Sequence, residues 1–410
     1  MVNAAIPAKP ALERGGGGVE RVFAHEMLRE IYEQPEAIRR TLALYTVASE
    51  LGLTLNPEFF SGLAHWGNAH GEVLIAASGS SRHSGLFGEI VLEDKCGLAV
   101  DVEYASEYSL RGANPHARDL RNPSVIVLSQ SGETSDTLAA LREARARGQR
   151  TLAITNVEDS TMAREADLSM PLAAGREKAI PATKSFTCQL TVLALLALYE
   201  ELSRNRMTFT DQGRLTLTDG LRELLAVPEA IEAQLDGWET QMEVLANKYR
   251  DAATFLFLGR GIHYAIAREG ALKLKEASYI HAEGYPTGEL KHGPNALVSE
   301  QVPLVVLATV DLHEEGSLLR YDKTLQLLRD MKAQGARVIA LANAGDEEVA
   351  GLVSDCVYVR PAPEHLLPIS EVVPLQMFAY FMAIEHGVNV DRPRNLSKAV
   401  VEKSATSTTW

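Results

Sequence analysis

Two short segments rich in serine and threonine have the composition of anion-binding sites. Residues 78–81 (SGSS) and 129–134 (SQSGET) each follow an apolar run and lead into a helix-like stretch, so each should join a strand end to a helix start. The first N–H groups of a helix have no partner within the helix, and the helix dipole favours negative charge there. Hydroxyl groups add donors without net charge. These segments, with residues 182–185 (ATKS) as a third candidate, predict a phosphorylated substrate.

A second group of residues could move protons. Lys273 and Glu276 are three positions apart in a helix-like segment, so they share one face. Taken alone, the pair is typical of a surface ion pair that contributes little to stability. However, Glu283, Glu289 and His292 follow in a stretch punctuated by glycine and proline, which predicts a loop. Titratable groups on a loop beside a helix favour acid–base catalysis over the surface ion pair.

Parallel sheets are the elements that must position these residues. Four apolar runs are too short for helices, namely 73–77, 98–102, 125–128 and 152–154. Short buried runs separated by helical segments are typical of parallel strands. The scheme recurs at 255–258, 304–307 and 338–341, which indicates an internal duplication. The sequence therefore predicts an α/β fold with two doubly wound parallel sheets flanked by helices, with ligand sites beyond the carboxyl ends of the strands.

Helical periodicity is expected between and around these runs. Residues 25–51, 134–148 and 208–249 are expected to be helical, and the last of these segments bridges the two halves. The expected division of the chain is a flexible leader at 1–22, a first domain with N-terminal helices at 23–205, a helical connection at 206–250, a second domain at 251–390 and a tail at 391–410.

Composition excludes several classes of protein. A net charge of −14 argues against nucleic acid as a partner, because a phosphate backbone requires a basic surface. No apolar run is expected to cross a bilayer and no targeting signal is evident, which favours a cytoplasmic protein without a membrane partner. The spacing of Cys96, Cys188 and Cys356 fits neither a disulfide framework nor a common zinc site.

The Gly-Arg-Gly turn at 259–261 raises the question of a dinucleotide cofactor. The turn follows an apolar run, but it lacks the third glycine of the dinucleotide fingerprint, and no acidic residue is convincingly placed to hold a ribose. The sequence therefore predicts no cofactor and no metal ion.

Three motifs in order resemble the sugar isomerase (SIS) half of glucosamine-6-phosphate synthase. They are residues 129–134 (SQSGET), the run from 271–276 (ALKLKE) through 288–294 (GELKHGP), and residues 393–398 (PRNLSK). The similarity covers about residues 25–402. It implies two tandem SIS domains, an enzyme that acts on a phosphorylated aminosugar, and a homodimer.

The resemblance also implies which residues bind the substrate. The phosphate would be held by side chains of the two hydroxyl-rich segments, namely Ser80, Ser129, Gln130, Ser131 and Thr134. The sugar would lie near Ser81 and near the backbone of Ile180 and Ala182.

By the same resemblance, four residues carry the chemistry. Glu276 matches the proton shuttle between C1 and C2, and Lys273 matches its helper. His292 matches the group that assists ring opening from across a dimer interface. Lys398, in the tail, matches the lysine that forms a Schiff base with the ketose in the synthase. An aldose–ketose shift needs one base that moves a proton between neighbouring carbons, and a partly desolvated carboxylate can serve.

The sequence departs from the synthase in ways that bear on the reaction. Val2 follows Met1, where the synthase has the nucleophilic cysteine of its glutaminase domain, so glutamine is not expected to be the nitrogen source. Ser78 stands in place of a cysteine and Ala182 in place of a serine.

Other segments are more similar to SIS-type glucosamine-6-phosphate deaminases. They are residues 80–83 (SSRH) and 177–185, and they make His83 and Lys178 further candidates for the site. The favoured function is therefore conversion of glucosamine 6-phosphate to fructose 6-phosphate and ammonia. Three alternatives stay open: an ammonia-dependent synthase, a deglycase of phosphorylated fructosamines, and a sugar-phosphate sensor without catalysis.

Overall fold

The computed structural model of the protein describes residues 21–49, 52–63, 71–111, 122–204 and 210–398. The expected leader lies almost entirely outside these residues, as does the part of the tail that follows Lys398.

The helices α1 to α14 span, in chain order, Glu26–Tyr32, Gln34–Tyr45, Pro57–Leu63, Gly79–Cys96, Ala105–Arg111, Ser135–Ala146, Thr161–Glu165, Lys184–Arg204, Asp211–Glu232, Leu235–Tyr249, His263–Ser278, Glu315–Ala333, Glu347–Ala350 and Leu367–Glu385. The strands β1 to β12 span Thr46–Ser49, Gly52–Leu55, Glu72–Ala77, Ala99–Tyr104, Ser124–Ser129, Thr151–Thr155, Leu168–Pro171, Thr254–Gly259, His281–Pro286, Leu304–Leu307, Val338–Asn343 and Asp355–Val359. Two short 3-10 helices, Thr287–His292 and Pro294–Leu297, follow β9.

Both large sheets have five parallel strands in the same order. The first sheet runs β4-β3-β5-β6-β7, and the second, read from the matching edge, runs β9-β8-β10-β11-β12. The predicted α/β fold with two doubly wound sheets is therefore confirmed. The direction of winding changes between β3 and β5 in the first sheet and between β8 and β10 in the second. In such folds, ligands bind beyond the carboxyl ends of the strands at this switch point.

The two halves share one hydrophobic core. Strands β5, β6, β10 and β11 are buried along their whole length, because helices cover both faces of each sheet. Ile75 of β3 and Phe257 of β8 belong to the same cluster of buried side chains, whereas the opposite faces of the two sheets pack into separate clusters. The shared cluster joins the two halves through apolar packing.

Two helices in the shared core have the length and composition of membrane spans. The expectation that no apolar run could cross a bilayer is therefore wrong for α8 and α14 on composition alone. However, 89% of the apolar window of α8 and 94% of that of α14 are buried inside the protein. Helix α8 packs on α4 and α2, and α14 packs on α11 and α10, so both are core helices.

The expected helix at 25–51 is wrong beyond Tyr45. Helices α1 and α2 end there, and the chain continues as a two-stranded antiparallel sheet in which Thr46 pairs with Leu55 and Val47 with Thr54. Three of these four residues are β-branched, which lowers helix propensity and favours strands.

The stretch that the sequence predicts to be a loop is also more regular than expected. Residues 281–286 form β9 at the edge of the second sheet, beside β8. Gly284 permits this close packing, because a Cβ at that position would lie 2.7 Å from the Cα of Arg268 in α11. Glycine and proline therefore shape an edge strand here instead of a long irregular loop.

Candidate functional site

The segment 129–134 forms a compact loop between β5 and α6. The N–H of Gly132 donates to Ser129 Oγ (3.1 Å), and the N–H of Glu133 donates to Ser131 Oγ (3.1 Å). The hydroxyl oxygens of Ser129 and Thr134 are 3.0 Å apart. Thr134 is the N-cap of α6, but its side chain does not cap the helix. The first turn of α6 can therefore donate to an external anion.

Two buried polar atoms beside this loop have no partner among the described residues. They are Gln130 Oε1 and the hydroxyl oxygen of Thr137. A buried polar group without a hydrogen bond costs about 1–3 kcal/mol. The amide of Gln130 can be reversed without changing its shape, so both side chains can donate to an oxyanion. This surplus of donors fits the phosphate site that the sequence predicts.

The shape of the loop depends on Gly132. Its φ angle is +65°, in the left-handed region, and a Cβ there would lie 2.1 Å from Ser160 Oγ. The carbonyl of Gly132 accepts a hydrogen bond from the N–H of Met162 (3.1 Å), which fixes the loop against α7. Only glycine adopts this φ angle without strain and leaves the space next to Ser160 free.

Replacing Gly132 with Ala should therefore distort this candidate phosphate site. We expect at least a tenfold weaker affinity for a phosphorylated sugar, on the order of the loss of one charge-assisted hydrogen bond. Gly148→Ala is the matched control, because Gly148 ends the same helix with a φ of +74° and no atom lies within 4 Å of the added Cβ. Titration calorimetry of both variants checks the prediction. Equal affinity in the two variants would contradict it.

The segment 78–81 begins α4 at the neighbouring strand end. Strands β3 and β5 are adjacent in the sheet, so both hydroxyl-rich segments lie at the switch point. Ser81 Oγ accepts a hydrogen bond from Gln189 in α8 (2.9 Å). Ser80 Oγ donates to Glu269 in α11 (2.8 Å). The segment is thus anchored to both halves of the chain.

The third hydroxyl-rich candidate, residues 182–185, is not open to a phosphate. Its backbone and side-chain donors bind the buried carboxylate of Glu177: the N–H groups of Thr183 (2.9 Å) and Ser185 (3.1 Å) reach Oε1, and the Ser185 hydroxyl reaches Oε2 (2.8 Å). An anion from the chain itself already occupies this helix start. The expectation of a third anion site is therefore wrong.

Lys273 and Glu276 form an ion pair on α11, and Lys273 is only 1% exposed. Glu269, one turn earlier, is completely buried and lies 3.5 Å from Lys273 Nζ. Burial alone lowers the pKa of Lys273, but the charges of Glu276 and Glu269 outweigh it and raise the pKa above its ordinary value. Lys273 is therefore an ammonium group that holds the Glu276 carboxylate in place. The pair is not a surface ion pair.

Glu269 connects this pair to the segment 78–81. Its Oε1 accepts a hydrogen bond from Ser80 Oγ and lies 3.5 Å from Lys273 Nζ. Its Oε2 lies 2.8 Å from His83 Nδ1. A continuous chain of polar contacts thus runs from the start of α4 to Glu276. Glu269 is not among the site residues predicted from the sequence, although its position four residues before Lys273 places it on the same helix face.

The tail brings Lys398 to the loop that precedes α8. Lys398 Nζ donates to Glu177 Oε2 and to the carbonyl of Ala179, both at 2.6 Å. Asp391 fixes the start of the tail, because its carbonyl accepts from the N–H of Ile180 (3.0 Å) and its carboxylate accepts from the first N–H groups of α1. Ile180 and Ala182, both half-buried, therefore lie in the same loop as the contacts of Lys398.

Glu177 relates the tail to the pair on α11. Its negative charge contributes to the raised pKa of Lys273, and its carboxylate binds Lys398 directly. Burial alone raises the pKa of Glu177, but Lys398 and the N–H donors of Thr183 and Ser185 outweigh it and lower the pKa. Sequence analysis did not select Glu177 either. Its only local signal is an acidic residue shortly before a helix start rich in hydroxyl groups.

A comparison with protein families decides the class of the chain. The model described as SIS domain matches residues 68–199 and again residues 248–386. The chain belongs to the SIS domain family. The expected tandem of SIS domains is confirmed, and each match contains one of the two parallel sheets.

Relatives of this SIS protein are known in sequence and in structure. It is 40% identical over 398 residues to a glutamine–fructose-6-phosphate aminotransferase (isomerizing) of Chlorobaculum tepidum, which covers 95% of this chain and 59% of the relative. The C-terminal domain of glucosamine-fructose-6-phosphate aminotransferase from Francisella tularensis has a TM-score of 0.78 and 33% identity, over 90% of this chain and 99% of that one. Glucosamine-6-phosphate deaminase from Thermotoga maritima has a TM-score of 0.65 and 23% identity, over 92% of this chain and 100% of that one. The chain thus spans about three fifths of the length of the curated relative.

The second SIS domain fills its own switch point with charged side chains. Beside β8 and β10, the buried His263 lies 2.8 Å from the carboxylate of Glu371 and 3.4 Å from that of Glu364. Thr309 also donates to Glu371, and Arg320 pairs with Glu364. Burial alone lowers the pKa of His263, but the two carboxylates raise it to about 9. Carboxylates repel phosphate, so the switch point of the second SIS domain is not expected to bind one.

Two of the candidate site residues, His292 and Lys178, do not join the polar cluster around Lys273, Glu276 and Glu269. His292 is exposed at the end of the first 3-10 helix and makes no hydrogen bond or ion pair with the rest of the described chain. Lys178 is half-exposed and pairs with Glu26 at the surface. His83, in contrast, is buried against Glu269.

Proposed function

We propose that this SIS protein converts glucosamine 6-phosphate to fructose 6-phosphate and ammonia. One observation carries the proposal: the ion pair between the buried Lys273 and the partly exposed Glu276 is joined through Glu269 to Ser80 of the anion-binding region. A carboxylate held by a buried ammonium beside a phosphate site suits proton transfer on a phosphorylated sugar. The names of the related aminotransferases support a substrate of this class.

In the proposed complex, the phosphate binds at the first SIS domain. Ser129, Ser131 and Thr134 donate their hydroxyls, Gln130 donates its amide, and Ser80 contributes from α4. The sugar extends toward α11, where Ser81 and the loop with Ile180 and Ala182 surround it. The positive end of the α6 dipole stabilises the bound dianion. The phosphate thereby fixes the distance between C1 or C2 and the Glu276 carboxylate, which favours reaction by orientation.

The chemistry starts from the open-chain aminosugar. Glu276 takes the proton from C2 and returns it to C1, while O1 gains one proton and the nitrogen at C2 loses one. The aldehyde at C1 thereby becomes an alcohol and the amine at C2 becomes an imine. Water then adds to C2, and ammonia leaves to give the ketone of fructose 6-phosphate. Lys273 stays protonated and keeps the carboxylate oriented through both transfers. His292 would assist ring opening from the partner subunit of a homodimer.

A second candidate is the reverse reaction, the synthesis of glucosamine 6-phosphate from fructose 6-phosphate and ammonia. The position of Lys398 favours it, because its amine lies beside the loop that would surround the sugar and could form an imine with a ketose carbonyl. In the free protein, Glu177 holds that amine by an ion pair. A substrate would have to displace this contact before Lys398 could react.

The deciding experiment measures both directions with the full chain. Incubation with glucosamine 6-phosphate should release ammonia and fructose 6-phosphate in equal amounts. Formation of glucosamine 6-phosphate from fructose 6-phosphate and ammonium at a higher kcat/KM would favour the second candidate. Parallel assays with a phosphorylated fructosamine detect a deglycase. Tight binding of all three sugars without turnover would overturn the enzyme proposal and indicate a sensor.

We also propose a cytoplasmic location, in agreement with the buried position of α8 and α14. Cell fractionation checks it, and recovery of the protein with the membrane fraction would contradict it.

A further inference from the structure

A cleft lies where the two SIS domains meet, apart from the loop at 129–134 and bordered by Gly79 of the segment 78–81. It encloses about 140 Å³ between the start of α4, Tyr104 at the end of β4, and α11 with the neighbouring β9. On α11 its walls are Arg268, Leu272 and Lys275, which recur at positions i, i+4 and i+7. Glu269, Lys273 and Glu276 follow the same spacing one position later, so they occupy an adjacent face about 100° around the helix. The cleft thus borders a different face of α11 from Glu276, and it shares Gly79 and His83 of α4 with the candidate active site.

The cleft concentrates positive charge, and Glu89 acts on Arg82 only from beyond ion-pair distance. Arg82, Arg268 and Lys275 line it, and no carboxylate of the described chain lies within ion-pair distance of any of the three. This is unusual in a chain with a net charge of −14. Three like charges beside one another repel, and the repulsion is strong when water is partly excluded. Burial and the charge of Arg268 both act to lower the pKa of Arg82.

Arg82 also has donors that the protein does not use. Its Nε and Nη1 groups are buried and have no hydrogen-bond partner among the described residues. The guanidinium stacks on the ring of Tyr104, with 3.9 Å between Cζ and the ring centroid. Its one hydrogen bond to the described residues is long, at 3.5 Å from Nη2 to the carbonyl oxygen of Val102. Within the described part of the chain, Arg268 donates only to the hydroxyls of Tyr264 (3.0 Å) and Tyr104 (3.5 Å). Guanidinium groups with unused donors are the groups that proteins use to bind oxyanions.

We propose that this cleft is a second anion-binding site, specific for a dianionic oxyanion such as a phosphate group, and that it is independent of the phosphate of the reacting sugar. An anion between Arg82 and Arg268 would satisfy the unused N–H donors and remove the repulsion between the three cations. It would bind both SIS domains at once, because Arg82 belongs to α4 and Arg268 to α11.

The site is placed to influence the reaction. His83 follows Arg82 on α4 and lies 2.8 Å from Glu269, which in turn contacts Lys273. A displacement of Arg82 by the bound anion would therefore be transmitted through two polar contacts to the Lys273–Glu276 pair. The ligand in this view is an effector, whereas the substrate phosphate binds at residues 129–134.

Equilibrium dialysis with labelled inorganic phosphate at constant ionic strength tests the proposal. The intact protein should bind two phosphates per chain. A clamp variant, in which Ser131→Ala and Thr134→Val alter the loop at 129–134, should bind one phosphate. Adding Arg268→Gln and Lys275→Gln to the clamp variant should abolish binding of that phosphate or weaken it at least about tenfold. Arg222→Gln in the clamp variant is the control, because it removes an exposed positive charge of α9 and should leave the phosphate Kd unchanged.

Competition identifies the chemistry of the ligand. Phosphate and malonate carry two charges and acetate carries one, so acetate should displace the labelled phosphate at least about tenfold more weakly than malonate. Thermal unfolding of each variant confirms that it is folded. A single phosphate per chain in the intact protein, or an equal Kd for the clamp variant with and without Arg268 and Lys275, would overturn the second site. These outcomes do not depend on turnover, so they are separate from the test of the proposed function.

Discussion

Replacing Glu276 with Gln is expected to lower kcat about 10³-fold, within the 10²–10⁴ range that a positioned acid–base group supplies. Gln has the shape of Glu but cannot accept the C2 proton. Binding should change little, because the proposed phosphate site at residues 129–134 is unaltered, and Lys273 keeps Glu269 as a counter-ion at 3.5 Å. Steady-state release of fructose 6-phosphate, together with the Kd of the sugar phosphate from calorimetry, checks the prediction.

Glu315→Gln provides the matched control for this variant. Glu315 is exposed in the first turn of α12. Its replacement removes one negative charge, as in Glu276→Gln, but far from the candidate site residues in sequence, so kcat should be unchanged. Retention of more than a tenth of the activity in Glu276→Gln would show that another group shuttles the proton.

The same variant tests the homodimer: if His292 acts on the partner's site, mixing Glu276→Gln with His292→Asn subunits should restore activity that neither variant has alone.

Replacing Glu177 with Gln is expected to lower the free energy of unfolding by about 3 kcal/mol and to reduce activity strongly. Removing one partner of a buried ion pair typically costs 3–5 kcal/mol, and the part-exposed Lys398 places this pair toward the lower end. The Gln amide also cannot accept from Thr183, Ser185 and Lys398 together. Denaturant unfolding measures the first effect, and turnover of the sugar phosphate measures the second.

Lys398→Met separates the ion pair from the rest of the Glu177 network. Glu177 keeps its N–H donors in this variant, so the loss of stability should be smaller than in Glu177→Gln. The double variant should lose less than the sum of the two, with a coupling of about 1–3 kcal/mol. Because the folded pKa of Glu177 lies below its ordinary value, this coupling is present above the ordinary pKa of a glutamate and disappears as the pH falls through the folded value. If the two single variants lose stability additively in the double variant at neutral pH, the ion pair between Glu177 and Lys398 does not stabilise the protein.

Local patterns predicted a large part of the architecture. The strands were recognisable because parallel strands are buried on both faces and leave short apolar runs, as in residues 125–128 within β5. The loop at 129–134 was recognisable because hydroxyl donors and Gly132 stand together at a strand end. The two errors in regular structure, at residues 46–49 and 281–286, have a common cause. Both segments become strands by pairing with a partner strand, and their own local composition does not indicate that pairing.

The candidate site was predicted in part, for a related reason. Lys273 and Glu276 are three residues apart, so helix geometry alone places them together. Glu269, Glu177 and Asp391 were missed, because their significance arises from contacts with residues far along the chain. Residues 182–185 were misjudged for the same reason, since a helix start with hydroxyl groups looks identical whether a substrate or Glu177 occupies it.

The sequence by itself determined the repeated α/β scheme, the position of the hydroxyl-rich loop at 129–134, and the pair on α11, because each depends on neighbours within one strand, one turn or one helix. The tertiary structure alone decided three other properties. It brought Lys398 to Glu177 across more than two hundred residues, filled the switch point of the second SIS domain with carboxylates, and gathered Arg82, Arg268 and Lys275 in one cleft. Such charges interact through space, so their pairing depends on how the two domains pack and not on their order in the chain.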